Sequence, residues 1–232
     1  MILQLTHITV CTNYFDSVIN NLIKLGYKKI FIEKNQKNLK IKKHLMTNYS
    51  NYHQLAILES KTNFNLEIVQ YPEINFVNEN FKAKPENSFF NEKNFISELE
   101  KKNNWKNFPK IFDFNKLKIT TNDIEQSRNF WEILGFSINQ KNKNLNFQSI
   151  LDNRIYGIEL IKKSFKSGFL NNHGISSIAF LTNSIKYEKK NLEKNGFYTT
   201  DIDNITIRNK TIELFFCRNK SGEIIEIYSV TN

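Results

Sequence analysis

The chain has 232 residues, 40% of them hydrophobic and 13% aromatic, enough for one large domain or two small ones with a proper core. Its formal net charge of +10 comes from lysines spread along the whole length; short, interrupted runs such as Lys40-Ile41-Lys42-Lys43 read as solvated faces rather than a nucleic-acid surface. Cys11 and Cys217 make no disulfide framework, no run of about 18 apolar residues could span a membrane, and Met1–His7 lacks a secretory pattern, so the expectation is a cytoplasmic chain with no membrane partner.

The first element is a strand at His7-Ile8-Thr9-Val10-Cys11-Thr12-Asn13. A helical stretch follows, with Phe15, Val18, Ile19, Leu22 and Leu25 on one face, and ends at Gly26-Tyr27. A polar insertion near 34–50 comes next, with His44 expected to be exposed, and then strands at 52–59 and 65–69. Residues 73–110 read as a linker with a helix from Glu92 to Lys102, carried by Phe95 and Leu99. The opening pattern returns at Lys116-Leu117-Lys118-Ile119-Thr120-Thr121-Asn122, with Ile124, Ser127, Trp131 and Leu134 on the helix and Gly135-Phe136 after it. Strands at 145–151 and 156–161 close this copy. It returns again at Ser177-Ile178-Ala179-Phe180-Leu181-Thr182-Asn183, with Ile185 and Leu192 on the helix and Gly196-Phe197 after it. Strands at 211–216 and 223–228, split by Asn219-Lys220-Ser221-Gly222, complete the third copy.

In all three copies Thr-Asn ends the strand, Gly follows the Asn by 13 positions, and an aromatic follows the Gly. Asn is expected to cap the helix, and Gly to supply the left-handed residue after its last turn. The fold class is therefore α+β, built from repeated βαβββ modules: module one at 1–72, module two at 111–163 and module three at 171–232. The short connector between modules two and three suggests that these two pair into one domain, 111–232, with module one packed apart. A lone module presents an incomplete sheet, which suggests a homodimer.

These repeats resemble the vicinal oxygen chelate superfamily, the glyoxalase, bleomycin-resistance and extradiol-dioxygenase group. The most specific stretches are Asp123-Ile124-Glu125-Gln126-Ser127-Arg128-Asn129-Phe130-Trp131-Glu132-Ile133-Leu134-Gly135-Phe136 and Arg218-Asn219-Lys220-Ser221-Gly222-Glu223-Ile224-Ile225-Glu226-Ile227. The resemblance implies paired modules forming a curved mixed sheet around a cavity. In metal-using members a His from the first strand and a Glu from the last strand of each paired module face that cavity. At the matching places stand His7 and Glu67 in module one, Lys116 and Glu159 in module two, and Ser177 and Glu226 in module three.

A lysine ammonium opposes a cation and a serine is a weak ligand, so no chelate is expected between modules two and three. His7 and Glu67 remain as a metal half-site. Strand alternation places Leu5, His7, Thr9 and Cys11 on one face, and Glu67, Val69 and Tyr71 on another; His53, on its own strand, could line the same cavity. The leading expectation is a metal-independent, small-molecule-binding protein with no cofactor. The alternatives are a metal-dependent lyase, isomerase or dioxygenase using His7, Glu67 and one divalent ion, and a structural or protein-interaction role. No phosphate loop, dinucleotide fingerprint or hydrolase elbow is present.

Overall fold

The computed structural model describes residues 1–61, 63–73, 116–139, 144–162, 168–207 and 209–231. Module one contains β1 (Ile2–Cys11), α1 (Phe15–Lys24), β2 (Lys28–Lys37), a 3₁₀ turn (Lys40–Leu45), β3 (Tyr52–Glu59) and β4 (Asn65–Gln70). Module two contains β5 (Lys116–Thr121), α2 (Ile124–Ile133), β6 (Ser137–Ile138), β7 (Leu145–Gln148) and β8 (Ile155–Lys162). Module three contains β9 (Gly174–Thr182), α3 (Ile185–Lys194), β10 (Tyr198–Thr199), β11 (Asp203–Ile207), β12 (Lys210–Arg218) and β13 (Ile224–Thr231). The expected helix at 92–102 lies outside the described residues.

The three strand–helix corners share one chemistry. Thr12 Oγ1 accepts from Tyr14 N at 3.0 Å, Thr121 Oγ1 from Asp123 N at 3.1 Å and Thr182 Oγ1 from Ser184 N at 3.1 Å. The repeated Thr, bonding two residues ahead, makes the turn. The Asn after it is not the helix cap: Tyr14, Asp123 and Ser184 hold that place. At the other end Gly26, Gly135 and Gly196 have φ of +90°, +93° and +80°. The aromatic after each Gly donates its N–H five residues back, Tyr27 to Leu22 O, Phe136 to Trp131 O and Phe197 to Leu192 O. This is the Schellman closure, which requires a left-handed residue and so favours glycine.

Sheet pairing departs from the expectation. β1 pairs antiparallel with β9, joining module one to module three in a single sheet of order β10-β12-β13-β9-β1-β4-β3-β2, with β11 paired to β12. Module two forms its own four-stranded sheet, β5-β8-β7-β6. The domain of modules two and three inferred from their short connector is therefore corrected: module three's partner sheet is module one's. The strands explain it. A strand at the centre of a large sheet is buried on both faces. β9 is buried at every position but Leu181, whereas β5 carries an exposed lysine, Lys118, which such a place would bury. Connector length is a weak constraint, because loop-closure entropy grows only with the logarithm of length. Pairing with module three also completes module one's sheet, which removes the reason for expecting a homodimer.

Module two docks on the back of this sheet. Phe180 of β9, fully buried, receives Trp131, Phe136 and Phe147 at ring distances of 6.4, 6.2 and 6.1 Å. Phe130 meets Phe197 edge-on at 4.9 Å, and Phe64 stacks on Tyr156 at 4.9 Å. Ser127 Oγ donates to the buried Glu223 carboxylate at 2.6 Å.

Candidate functional site

β1 and β4 are parallel neighbours with Thr9 opposite Glu67. β13 and β9 are parallel neighbours with Glu226 opposite Ala179, and Ala179 in turn lies opposite His7 across the β1–β9 junction. His7, Glu67 and Glu226 therefore project from three strands onto one face. One ligand atom from each lies within 4.8 Å of the others. The register slips between Leu5 and His7, which breaks the alternation expected to place Leu5 beside His7.

His7 is oriented by its neighbour. Thr6 Oγ1 donates to Ala179 O at 3.1 Å and lies 3.3 Å from His7 Nδ1. In the tautomer protonated at Nδ1, that nitrogen donates to Thr6 Oγ1 and the Nε2 lone pair faces the carboxylates. Nε2 is buried without a hydrogen bond among the described residues and lies 3.9 Å from Glu67 Oε2. Glu67 Oε2 accepts from Thr9 Oγ1 at 2.8 Å, which fixes the carboxylate against β1.

The electrostatics are those of crowded acid in a dry place. Removal from water, and then the Glu67 charge, raises the pKa of Glu226 well above the carboxylate range. Burial depresses the imidazolium of His7, with Glu67 opposing and Lys42 reinforcing the change. Burial also raises the phenol of Tyr71, helped by charge on Cys11, Glu67 and Glu226, and pushes Tyr228 to about 12. Both phenols hold their protons at neutral pH and remain hydrogen-bond donors. His53, packed 5.2 Å from the Tyr71 ring, is driven by burial to about 3 and is a neutral imidazole. Neither of its nitrogens has a partner among the described residues. His53 and Tyr71 also line a pocket of about 260 Å³ with Lys34, Asn35, Tyr52, Gln54, Gln70 and Pro72.

An orphaned imidazole nitrogen beside two carboxylates that resist joint ionisation fits a divalent cation. One nitrogen and two oxygen ligands, with the remaining positions left for water or substrate, suit a first-row ion such as Mn²⁺, Fe²⁺ or Zn²⁺. Ser177 is buried opposite Thr9, close to this cluster. Cys11 is buried near Tyr71 and is not in a disulfide. Glu159 is not brought here: it sits in β8 opposite Lys118, in module two's own sheet, as does the Lys116 backbone opposite Gly157. The cavity expected between modules two and three does not form, because those modules do not share a sheet.

The residue missed in the sequence is Lys42. The 34–50 insertion reads as polar, with His44 exposed and Lys40-Ile41-Lys42-Lys43 as a solvated face. His44 is exposed, but Leu45, Met46 and Lys42 are buried. Leu39, Lys42 and Leu45 recur every three residues, the repeat that places side chains on one face of a 3₁₀ helix, and this spacing is the signal that could have found it. Asn38 closes the base of the insertion through Asn51 O and Ser50 O, and Asn171 pins its far side through Thr47 N at 3.1 Å and Thr47 Oγ1.

The fold is glyoxalase-like: βαβββ modules joined through their first strands into one curved mixed sheet. An integron cassette protein of V. cholerae overlaps 53% of this chain and 98% of its own at 20% identity, with a TM-score of 0.37. Glyoxalase I from Zea mays overlaps 97% of this chain and 67% of its own at 12% identity and a TM-score of 0.36. A putative dioxygenase from Bacillus subtilis overlaps 99% of this chain and 63% of its own at 12% identity and 0.38. No family model and no curated protein sequence matches the chain. No helix among the described residues is long and apolar enough to cross a membrane.

Proposed function

We propose that the paired modules form a metal-dependent site for a small molecule, with His7, Glu67 and Glu226 as the metal ligands, and that the protein is a lyase, isomerase or dioxygenase of the metal-using kind. The observation that supports this is the convergence of the three groups within 4.8 Å across the module one–module three junction. This reading replaces the expectation of a metal-free binding protein, which rested on a cavity between modules two and three.

Thr6 and Thr9 hold the imidazole and the Glu67 carboxylate in their ligating orientations. A divalent ion bound there supplies Lewis-acid polarisation of a substrate oxygen. Tyr71 and Tyr228, both protonated, are donors for oxygen atoms of the bound molecule, and the buried surroundings keep bulk water from competing. His53, neutral and unpartnered, is free to accept or donate at the pocket it shares with Tyr71.

The test is equilibrium dialysis against Mn²⁺ up to millimolar concentration, read by elemental analysis, for the wild type beside His7→Ala and Glu226→Ala. The expected result is one equivalent per chain in the wild type and loss of stoichiometric binding in both variants. Failure of the wild type to take up metal, or retention in Glu226→Ala, refutes the reading.

A further inference from the structure

The inner face of the joined sheet is covered from within by the 38–50 segment, and that cover carries a charge. Lys42 is 8% exposed, and its Nζ stands 5.3 Å from the centroid of the Phe216 ring. Phe216 lies opposite Glu226 in the β12–β13 register, so the ammonium is beside the acidic cluster. Among the described residues no ion pair or hydrogen bond holds it, and the Phe216 ring face is a stabilising partner. Its charge is felt at His7, His53 and Glu226. A buried lysine without a close anion is costly, and here two carboxylates crowd together at the same place.

We propose that Lys42 is the resident cation of this site, a tethered ammonium that offsets the negative charge of the Glu67–Glu226 pair when no metal is bound and competes with a divalent ion for that pair. The inference rests on the metal-site reading above and adds a restraint to it. The charge count is direct: two carboxylates balance one divalent ion, and with Lys42 also in place the loaded cluster carries one positive charge in excess. Metal entry therefore works against Lys42 and favours states in which the 3₁₀ turn has drawn the ammonium back. The geometry gives that turn two separable roles. Leu45, Met46 and the Asn171 hydrogen bonds hold it down, while Lys42 supplies the charge.

The effect is large enough to measure. Even at a separation of roughly 10 Å and an effective dielectric constant of about 20, a unit positive charge disfavours a divalent ion by well over a factor of ten. The experiment is calorimetric titration of Mn²⁺ into the full-length wild type, Lys42→Met and Lys42→Arg, with circular dichroism confirming that each is folded. Lys42→Met keeps the length and apolar stem but removes the charge, and Lys42→Arg keeps the charge. Lys42→Met is expected to bind Mn²⁺ at least about tenfold more tightly than the wild type, and Lys42→Arg within about threefold of it. Equal or weaker binding by Lys42→Met overturns the proposal, as does absence of binding in every protein. Binding by Lys42→Met alone supports it while refuting the wild type as a metalloprotein, so the two readings fail separately. A Lys42→Arg affinity that matches Lys42→Met also overturns it, because the gain would then come from repacking rather than charge.

Discussion

Glu223 offers a test of how module two is held. Its carboxylate is 1% exposed, accepting from Ser127 of α2 at 2.6 Å and from Asn219 Nδ2 at 2.9 Å. Burial raises its pKa from 4.5 to about 6, against the pull of those two donors. At about 1.36 kcal/mol per pH unit, this penalises the ionised form by about 2 kcal/mol. The folded pKa lies above the unfolded one, so this contribution to stability is complete below about pH 4.5 and is lost as pH rises through about 6. For a chain of this size about 2 kcal/mol corresponds to a melting temperature lower by roughly 4–8 °C. Glu223→Gln, which keeps the shape and one acceptor oxygen but cannot ionise, should flatten this part of the pH dependence. Ser127→Ala removes the donor from module two, costs about 1.5–3 kcal/mol at neutral pH, and raises the carboxyl further, so the fall should be steeper and begin from a lower melting temperature. Thermal melts by circular dichroism from pH 4.5 to 8 on the three proteins give the answer, and the difference between wild type and Glu223→Gln isolates this group from the other acids. Parallel curves for those two proteins would refute the account of Glu223 as a buried, ionisable bridge between modules.

Phe180→Ala should cost about 3–5 kcal/mol in denaturant unfolding, because three aromatic rings of module two rest on that side chain; a loss under about 1 kcal/mol would mean module two is not docked there. His53 gives the opposite pH sign to Glu223. Its folded pKa, about 3, lies below the ordinary 6.5, so its contribution is present above 6.5 and is lost as pH falls below that value; His53→Phe should lessen acid destabilisation between pH 6.5 and 4, measured by urea unfolding.

The repeat was legible because local chemistry recurs at fixed spacing. The glycines before Tyr27, Phe136 and Phe197 mark three helix ends, and all three adopt the left-handed conformation they imply. The assignment of Asn as the helix cap missed because the Thr before it makes the turn first, which moves the cap one residue along. Short β6 and β10, and the extra β11, escaped notice because edge strands carry little hydrophobic periodicity. Module pairing was out of reach of local pattern, since a strand's neighbour is set by which two surfaces can both be buried. Lys118 of β5 carries that information, and connector length is the weaker guide. Lys42 was hidden by composition: in a chain so rich in lysine, one that turns inward looks like its neighbours unless the 3₁₀ spacing is counted.

The choice of partner strands decides which glutamates can act. Glu67, Glu159 and Glu226 hold equivalent places in the last strands of three related modules, so sequence position alone makes them equal. The β1–β9 junction breaks that equality. It places β4 and β13 on either side of the paired first strands, which carries Glu67 and Glu226 to the same face as His7. Glu159 lies in a separate sheet, across from Lys118. The consequence is asymmetric. Glu226→Gln should abolish stoichiometric Mn²⁺ uptake, because it removes one of three anionic or imidazole ligands. Glu159→Gln should leave the Mn²⁺ affinity within about twofold, since Glu159 belongs to another sheet, stands opposite Lys118 and supplies no ligand. Paired titrations of the two variants separate the effect of joining modules one and three from the effect of being a repeated glutamate. Equal losses in both would mean that the working site draws on module two, and that the β1–β9 junction is not what builds it.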